Sequence, residues 1–180
     1  MKVSAFVAIS LDGYLARPNG DTDWMHAGAS GTDYGYTAFY ESVDTLVMGS
    51  HAFVRALSQR HWPYGSKRVF VLSSQYVDIP LDLVRHVEIS RLEPAALVPQ
   101  LQAEGLQHVS VDGGATIQRF ILAGLLSEIT ITRLPILLGD GLPLFAPGIG
   151  EHALDHQESK AWPDGLVQSR YRILSAFALE

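Results

Sequence analysis

Apolar and polar residues alternate along the chain with two different periods, which divide it into strands and helices. Short runs rich in Val, Ile and Leu, such as Lys2–Ile9 and Arg68–Leu72, are typical of strands that are buried on both faces. Segments with apolar residues at helical spacing, such as Glu93–Ala103, lie between them. Further strands are predicted at Asp44–Gly49, Val87–Ile89, Glu128–Leu134 and around Val109 and Val111, and further helices at Thr32–Val43, Ala52–Leu57 and Ala115–Leu126.

Strands that alternate with helices predict a three-layer α/β fold, in which helices cover both faces of a mainly parallel sheet. The C-terminal part differs, because Ala153–Trp162 and Leu166–Leu179 both show β-rich alternation and flank a Pro-Asp-Gly turn. We therefore expect a C-terminal antiparallel hairpin. A long hydrophobic strand over Leu166–Leu179 would leave a reactive sheet edge in a monomer, so we also predict a homodimer that buries it.

Small residues follow four of the predicted strands, at Ser10–Gly13, Gly49–Ser50, Ser73–Ser74 and Gly113–Gly114. In open α/β sheets ligands bind beyond the carboxyl ends of the strands, and N–H groups at a helix start attract phosphate. A glycine pair alone is more often a turn than a phosphate site, and the chain contains neither G-x-G-x-x-G nor G-x-x-x-x-G-K-[ST]. Four such junctions at one edge of a sheet nevertheless predict a site for an extended nucleotide.

Composition limits the classes of function. With 180 residues, 47% of them apolar and 18% charged, the chain is long enough for one domain with a substantial core, which we predict to span residues 1–180. A net charge of −6 argues against nucleic acid as a partner, and no apolar run reaches the ~18 residues of a membrane helix. The lack of cysteine excludes thiolate metal sites and is compatible with a cytoplasmic location. We predict no metal site, because His152 and His156 would lie too far apart on a strand.

Asp33 is the carboxylate best suited to chemistry on a bound small molecule. It follows a long loop, precedes a predicted helix, and would hydrogen-bond a nitrogen heterocycle while apolar neighbours raise its pKa. Tyr34 and Thr37 would contact the same substrate. The alternative is that Asp33 only caps the helix. Trp24 also has two interpretations, since it is either a lid anchor over substrate or part of the core beneath the loop.

Taken together, these segments resemble the dihydrofolate reductase-like superfamily, and more closely the reductase domain of the bifunctional deaminase-reductases of riboflavin biosynthesis. The likeness extends over nearly the whole chain and depends on the order and spacing of motifs that are individually loose. The motifs are Ser10–Tyr14 (SLDGY), Trp24, Leu46–His51 (LVMGSH), Val71–Ser74 (VLSS), Val111–Ala115 (VDGGA) and Leu138–Phe145 (LGDGLPLF).

This resemblance implies a reductase that uses NADPH, with its acid at Asp33. The strand end at Ala8 and Ile9 would border the nicotinamide, and the loop that bears Trp24 would close over it. The segment Leu72, Ser73 and Ser74 would approach the 2′-phosphate of the adenosine. Two glycine junctions would hold the pyrophosphate, comprising Gly49, Ser50, His51 and Ala52 on one side and Asp112, Gly113, Gly114, Ala115, Thr116 and Ile117 on the other.

Two departures from the family pattern bear on cofactor and substrate. Dihydrofolate reductases usually carry Arg where this chain has Ser50, and that Arg pairs with the 2′-phosphate, so Arg55 or Arg68 would have to compensate. The sequence therefore leaves both NADPH and NADH as possible cofactors. The riboflavin enzymes generally carry a deaminase domain, absent here, so we expect a stand-alone reductase or a relative with another substrate. The expected substrate is heterocyclic or sugar-linked, as in 5-amino-6-(5-phosphoribosylamino)uracil reductase; the alternatives are a dihydrofolate or pterin reductase and a non-catalytic dinucleotide-binding protein.

Overall fold

The computed structural model describes residues 1–26 and 32–174. Strands and helices alternate through most of this part of the chain, and a single turn of 3-10 helix forms at Asp23–His26. The helices are α1 (Tyr36–Glu41), α2 (Ser50–Leu57), α3 (Pro94–Ala103) and α4 (Gly114–Leu122). The strands are β1 (Lys2–Ile9), β2 (Tyr14–Ala16), β3 (Thr45–Gly49), β4 (Arg68–Leu72), β5 (Val87–Ser90), β6 (His108–Asp112), β7 (Glu128–Arg133), β8 (Leu142–Pro143), β9 (Leu154–Ala161) and β10 (Val167–Ile173).

The strands form a mainly parallel eight-stranded sheet in the order β5-β4-β3-β6-β1-β7-β10-β9. Pairing is parallel from β5 to β7, whereas β10 runs antiparallel to both β7 and β9. A short antiparallel ribbon of β2 and β8 lies apart from this sheet. The predicted parallel sheet and C-terminal hairpin are confirmed, and the fold is dihydrofolate reductase-like.

Helices cover both faces of the sheet because each strand buries alternate side chains on opposite sides. On one face, Leu97 of α3 and Phe120 of α4 pack in a cluster with Val47 of β3. On the other, Phe53 of α2 packs against Met48, the next residue along that strand. All five side chains are fully buried, and burial of one such side chain stabilises a fold by about 1.5–3 kcal/mol.

The helix α1 is shorter than the sequence pattern predicts, because the chain before it cannot continue a right-handed helix. Tyr34 and Gly35 have φ angles of 51° and 84°, in the left-handed region, so the helix begins only at Tyr36 instead of Thr32. Gly124, with φ 66°, likewise follows the end of α4 at Leu122, where the pattern predicts a helix to Leu126.

The C-terminal hairpin does not leave the edge that the sequence predicts. Because β10 lies between β7 and β9, its backbone is paired on both sides, and β9 is the outer strand. Asp155, Glu158 and Lys160 on β9 give this outer strand the charges that protect natural sheet edges from association. The prediction of a reactive β10 edge is therefore wrong, and residues 175–179 of the predicted strand lie outside the described residues.

Candidate cofactor and substrate site

The carboxyl ends of the parallel strands meet at one edge of the sheet, as predicted. Gly49 of β3 lies beside Leu72 of β4, and Leu72 lies beside Ser90 of β5. On the other side of β3, Met48 is the partner of Asp112 on β6. The glycine and serine junctions that follow these strands are therefore neighbours in space.

The starts of α2 and α4 touch through two glycines. A Cβ on Gly49 would lie 3.0 Å from Oγ1 of Thr116, and one on Gly113 would lie 3.2 Å from Cβ of Ala52. Gly113 also has a φ of 87°, which L side chains rarely adopt. A Cβ at either position would be tighter than an ordinary van der Waals contact, so glycine favours this close approach.

The N-cap residues of α2 and α4 are Gly49 and Gly113, which have no side chain to cap the first-turn N–H groups. Uncapped first-turn N–H groups, together with the helix dipole, form a favourable environment for phosphate. The predicted residues Ser50 and His51 begin α2, and Gly114, Ala115 and Thr116 begin α4. Ile117 differs, since it is fully buried and its N–H donates to the carbonyl of Gly113 at 2.9 Å. Its side chain supports the core beneath the site.

Asp112 holds the glycine junction through its carboxylate. Its Oδ1 accepts the Gly113 N–H at 2.7 Å, and its Oδ2 accepts the Tyr64 hydroxyl at 3.2 Å. Burial and the charge of Asp112 hold the pKa of Tyr64 well above its usual range, and the same two causes raise the pKa of Tyr36 to about 12. A carboxylate repels pyrophosphate, so Asp112 would contact a cofactor or substrate only through a hydroxyl or N–H group. The sequence pattern gives no sign of Tyr64.

A second glycine-rich loop is tied to the end of β1 by Asp12. The Asp12 carboxylate accepts the Ser10 hydroxyl and the backbone N–H groups of Leu138 and Gly139, and these hydrogen bonds lower its pKa. Nearby, a Cβ on Gly141 would lie 2.3 Å from the carbonyl oxygen of Ala16. This loop is therefore packed tightly on the β2 ribbon.

Trp24 lies in the core beneath its loop. It is 2% exposed and forms a buried cluster with Leu134 and Leu166, against which Ala8 and Tyr34 pack. The structure thus brings three predicted site residues, Trp24, Tyr34 and Ala8, into one cluster beside the end of β1. The indole Nε1 is buried without an acceptor in the described part of the chain, which leaves a donor available to a ligand or water.

Asp33 caps α1, and its predicted pKa shift is wrong in direction. Its two oxygens accept the N–H groups of Gly35 and Thr37 at 3.1 and 3.0 Å. The Thr37 side chain and these backbone donors stabilise the charged form, so the pKa of Asp33 is lowered rather than raised. The side chain is exposed instead of lying among apolar neighbours, because Tyr34 and Gly35 turn the chain before the helix.

A glutamine that the sequence pattern misses connects this segment to the sheet. Nε2 of Gln168 donates to the Tyr34 carbonyl at 3.1 Å and to Oγ1 of Thr132 at 2.8 Å. Thr132 is the partner of Ala8 in the register of β1 and β7. The Asp33 segment is thereby placed beside the strand ends that the resemblance assigns to the nicotinamide.

One predicted source of positive charge is at the wrong end of the sheet. Arg68 begins β4, opposite the edge formed by the glycine junctions, and pairs with Glu88 at 2.9 Å and with Glu104. Its guanidinium is committed to these two carboxylates. Arg68 therefore does not compensate for Ser50.

This arrangement matches a known family. The family model of the RibD C-terminal domain matches residues 1–167. The chain belongs to this family. The family is one of riboflavin-pathway reductases, in agreement with the resemblance seen in the sequence.

Individual relatives agree with this assignment. The Bacillus subtilis (strain 168) protein YwjB is 31% identical over 150 residues, covering 80% of this chain and 82% of its own length. A structure from Shewanella sp. PV-4, provisionally described as a riboflavin biosynthesis protein, is 37% identical with a TM-score of 0.90, covering 97% of this chain and 99% of that one. The deaminase/reductase of Thermotoga maritima shares the fold at 13% identity and a TM-score of 0.72, covering 96% of this chain and 56% of that one.

The described residues include neither a membrane-spanning helix nor a cluster of metal ligands. Across residues 1–26 and 32–174, no helix combines the length and apolar character needed to cross a membrane. In the same ranges, no three His, Asp or Glu side chains are grouped so that they would hold a metal ion.

Proposed function

We propose that this RibD-type protein is an NADPH-dependent reductase that transfers hydride to a small heterocyclic or sugar-linked substrate. The observation that carries the proposal is the contact between the uncapped starts of α2 and α4 at Gly49 and Gly113. Membership of a riboflavin-pathway family supports the same conclusion. The substrate class we favour is a pyrimidine such as the 5-amino-6-(5-phosphoribosylamino)uracil named for the Thermotoga maritima enzyme.

The residues at the two helix starts fit a dinucleotide. The pyrophosphate would be held by backbone N–H groups of Ser50 and His51 on α2 and of Gly114, Ala115 and Thr116 on α4. Gly113 and Gly49 leave the space that a Cβ would fill. When bound, NADPH supplies the hydride, and the chain supplies orientation and electrostatics.

On the substrate side, Asp33 acts as an ionised carboxylate. Because its pKa is lowered, it accepts a hydrogen bond from a substrate N–H or holds a water molecule, and does not itself start as the proton donor. Both oxygens have further lone pairs beyond those used for capping. Tyr34, Thr37 and Trp24, whose buried Nε1 has no acceptor among the described residues, complete the proposed substrate contacts.

Turnover distinguishes this proposal from a non-catalytic dinucleotide-binding protein. We expect calorimetry to show micromolar binding of NADPH, and NADPH oxidation with a panel of pyrimidines and pterins to show which substrate class is reduced. Asp33→Asn should abolish turnover and leave NADPH affinity unchanged, whereas the exposed control Asp82→Asn should change neither. Tight NADPH binding without turnover on any substrate would favour the binding protein, and absence of NADPH and NADH binding would refute the proposal.

The homodimer remains a proposal, with a different surface from the one first expected. A groove of about 370 Å³ is lined by Phe6, Ala38 and Phe39 together with charged side chains of both signs. No residue of α1 is buried, although the helix carries aromatic side chains. We place a second copy of the chain here, and we keep the cytoplasmic location as an expectation from the lack of cysteine.

A further inference from the structure

The proposed NADPH site lacks a cation at the position where related reductases are expected to carry one. Ser50 begins α2 and provides no charge, and Arg68 is committed to carboxylates at the opposite end of β4. Ser73 and Ser74, which follow β4, offer only neutral hydroxyl groups. A 2′-phosphate carries close to two negative charges, so neutral donors alone would discriminate weakly between NADPH and NADH.

Arg91 lies beside the two serines. It follows Ser90, the last residue of β5, which pairs with Leu72 in the parallel register. The N–H of Ser73 donates to the Ser90 carbonyl at 3.1 Å, so the backbones of the β4 and β5 ends stay together beyond the last strand pair. The Leu92 N–H then bonds to Oγ of Ser90 at 3.2 Å. Arg91 thus leaves the sheet at the edge that carries the glycine junctions.

The guanidinium of Arg91 is exposed and forms no ion pair with any residue in the described ranges. The nearest acidic residue in sequence, Glu93, is paired with Arg119 at 2.8 Å. Arg55 is less well placed, because its charge acts on Tyr64, beside Asp112, rather than on the serines after β4. Arg91 is therefore an exposed cation without an ion pair among the described residues, on the segment that lies beside the two serines after β4.

We propose that Arg91 binds the 2′-phosphate of NADPH and sets the preference for NADPH over NADH. The inference rests on the proposed function. A guanidinium presents parallel N–H donors that match two oxygens of a phosphate. The Ser74 hydroxyl would supply a further donor, whereas the Ser73 hydroxyl donates to the Gln75 carbonyl at 3.0 Å. NADH lacks this phosphate, so its affinity does not depend on Arg91.

The test is calorimetric titration of the whole chain with NADPH and with NADH, which needs no substrate. Arg91→Ala is expected to weaken NADPH binding about 10- to 100-fold and to leave NADH binding unchanged, since one charge-assisted contact is lost. Arg91→Lys should restore part of the affinity. The matched control is Arg85→Ala, which removes an exposed arginine just before β5 starts, at the opposite end of the strand.

The outcomes separate the two proposals. Loss of NADPH affinity in Arg91→Ala alone supports the inference. If Arg91→Ala binds NADPH as tightly as the wild type, or loses NADPH and NADH equally, the role of Arg91 is refuted while the dinucleotide site stands. If the wild-type chain binds neither nucleotide, the proposed function fails and the inference fails with it.

Discussion

The hydroxyl of Tyr64 donates to Oδ2 of Asp112 at 3.2 Å, and the other oxygen of the same carboxylate accepts the Gly113 N–H. Tyr64 is 7% exposed, so its hydroxyl has little access to water. This pair connects the segment between α2 and β4 to the glycine junction after β6. The geometry of the proposed pyrophosphate site therefore depends on a residue far from it in sequence.

Replacing Tyr64 with Phe should loosen this junction. The half-buried Asp112 carboxylate loses a donor, and we expect the free energy of unfolding to fall by about 1–2 kcal/mol. Urea denaturation followed by circular dichroism measures the change. The control is Tyr76→Phe, because Tyr76 is 88% exposed and its hydroxyl donates to the surface residue Asp78 at 3.4 Å. Equal losses of unfolding free energy in the two variants would show that the Tyr64–Asp112 hydrogen bond stabilises the fold no more than an exposed one.

Gly113→Ala should separate backbone strain from steric contact. Both Gly113 and Gly105 have a φ near +90°, at 87° and 88°, so an alanine at either position strains the backbone by about 1–3 kcal/mol. Only Gly113 has a neighbour, since its added Cβ would lie 3.2 Å from Ala52 whereas that of Gly105 meets nothing within 4 Å. We expect both variants to lose stability and only Gly113→Ala to lose NADPH affinity by calorimetry. A similar loss of affinity in Gly105→Ala would contradict the proposed position of the cofactor.

His108 should make the fold less stable in mild acid. Its Nδ1–H donates to the Ser42 carbonyl at 2.9 Å, and its Nε2 accepts the buried Ser4 hydroxyl at 2.6 Å, so the ring is held neutral. Burial lowers the pKa of His108 below its ordinary value of 6.5. The unfolded chain therefore takes up a proton that the folded chain refuses, and stability falls as the pH drops below about 6.5.

Denaturation at a series of pH values measures this dependence. The unfolding free energy of the wild type should decrease between pH 7 and pH 5, whereas His108→Gln should show a shallower slope over the same interval. His156 is exposed on β9 and serves as the matched control, since His156→Gln should keep the wild-type slope. Identical slopes for all three proteins would assign the pH dependence to other groups.

The groove beside α1 predicts where a second copy binds. Phe6, on the central strand β1, is only half-buried, and its ring lies 5.0 Å from that of Phe39. The groove is lined by the ion pairs Lys2–Glu128 and Arg170–Glu158, so opposite charges of two copies can meet across a two-fold interface. Light scattering at micromolar concentration should therefore report a dimer.

Ala38→Arg tests this surface, because Ala38 is exposed on α1 and lines the groove. We expect this variant to be monomeric at the same concentration. The control Ala95→Arg places the same side chain on an exposed position of α3 and should remain dimeric. A monomeric wild-type protein would contradict the dimer, and a dimeric Ala38→Arg would place its interface elsewhere.

Most of the fold and part of the site follow from local sequence patterns. Gly49 and Gly113 are predictable as neighbours because parallel strands end at one edge and glycine favours a close approach of backbones. Tyr64 and Gln168 are not predictable, since their partners are 48 and 36 positions away and no local pattern encodes such pairs. The direction of the pKa shift at Asp33 depends on the turn that exposes it.

The helices α2 and α4 lie on opposite faces of the sheet, yet their first turns touch at its edge. A dinucleotide bound there would contact both helix layers, which otherwise meet across the strands of the sheet. Its binding energy would resist separation of the layers, so the melting temperature of the whole domain should rise with NADPH concentration. The same contact makes binding depend on the order of the strands. Each helix start supplies part of the proposed site, so a shift of either helix would move its N–H groups away from the cofactor.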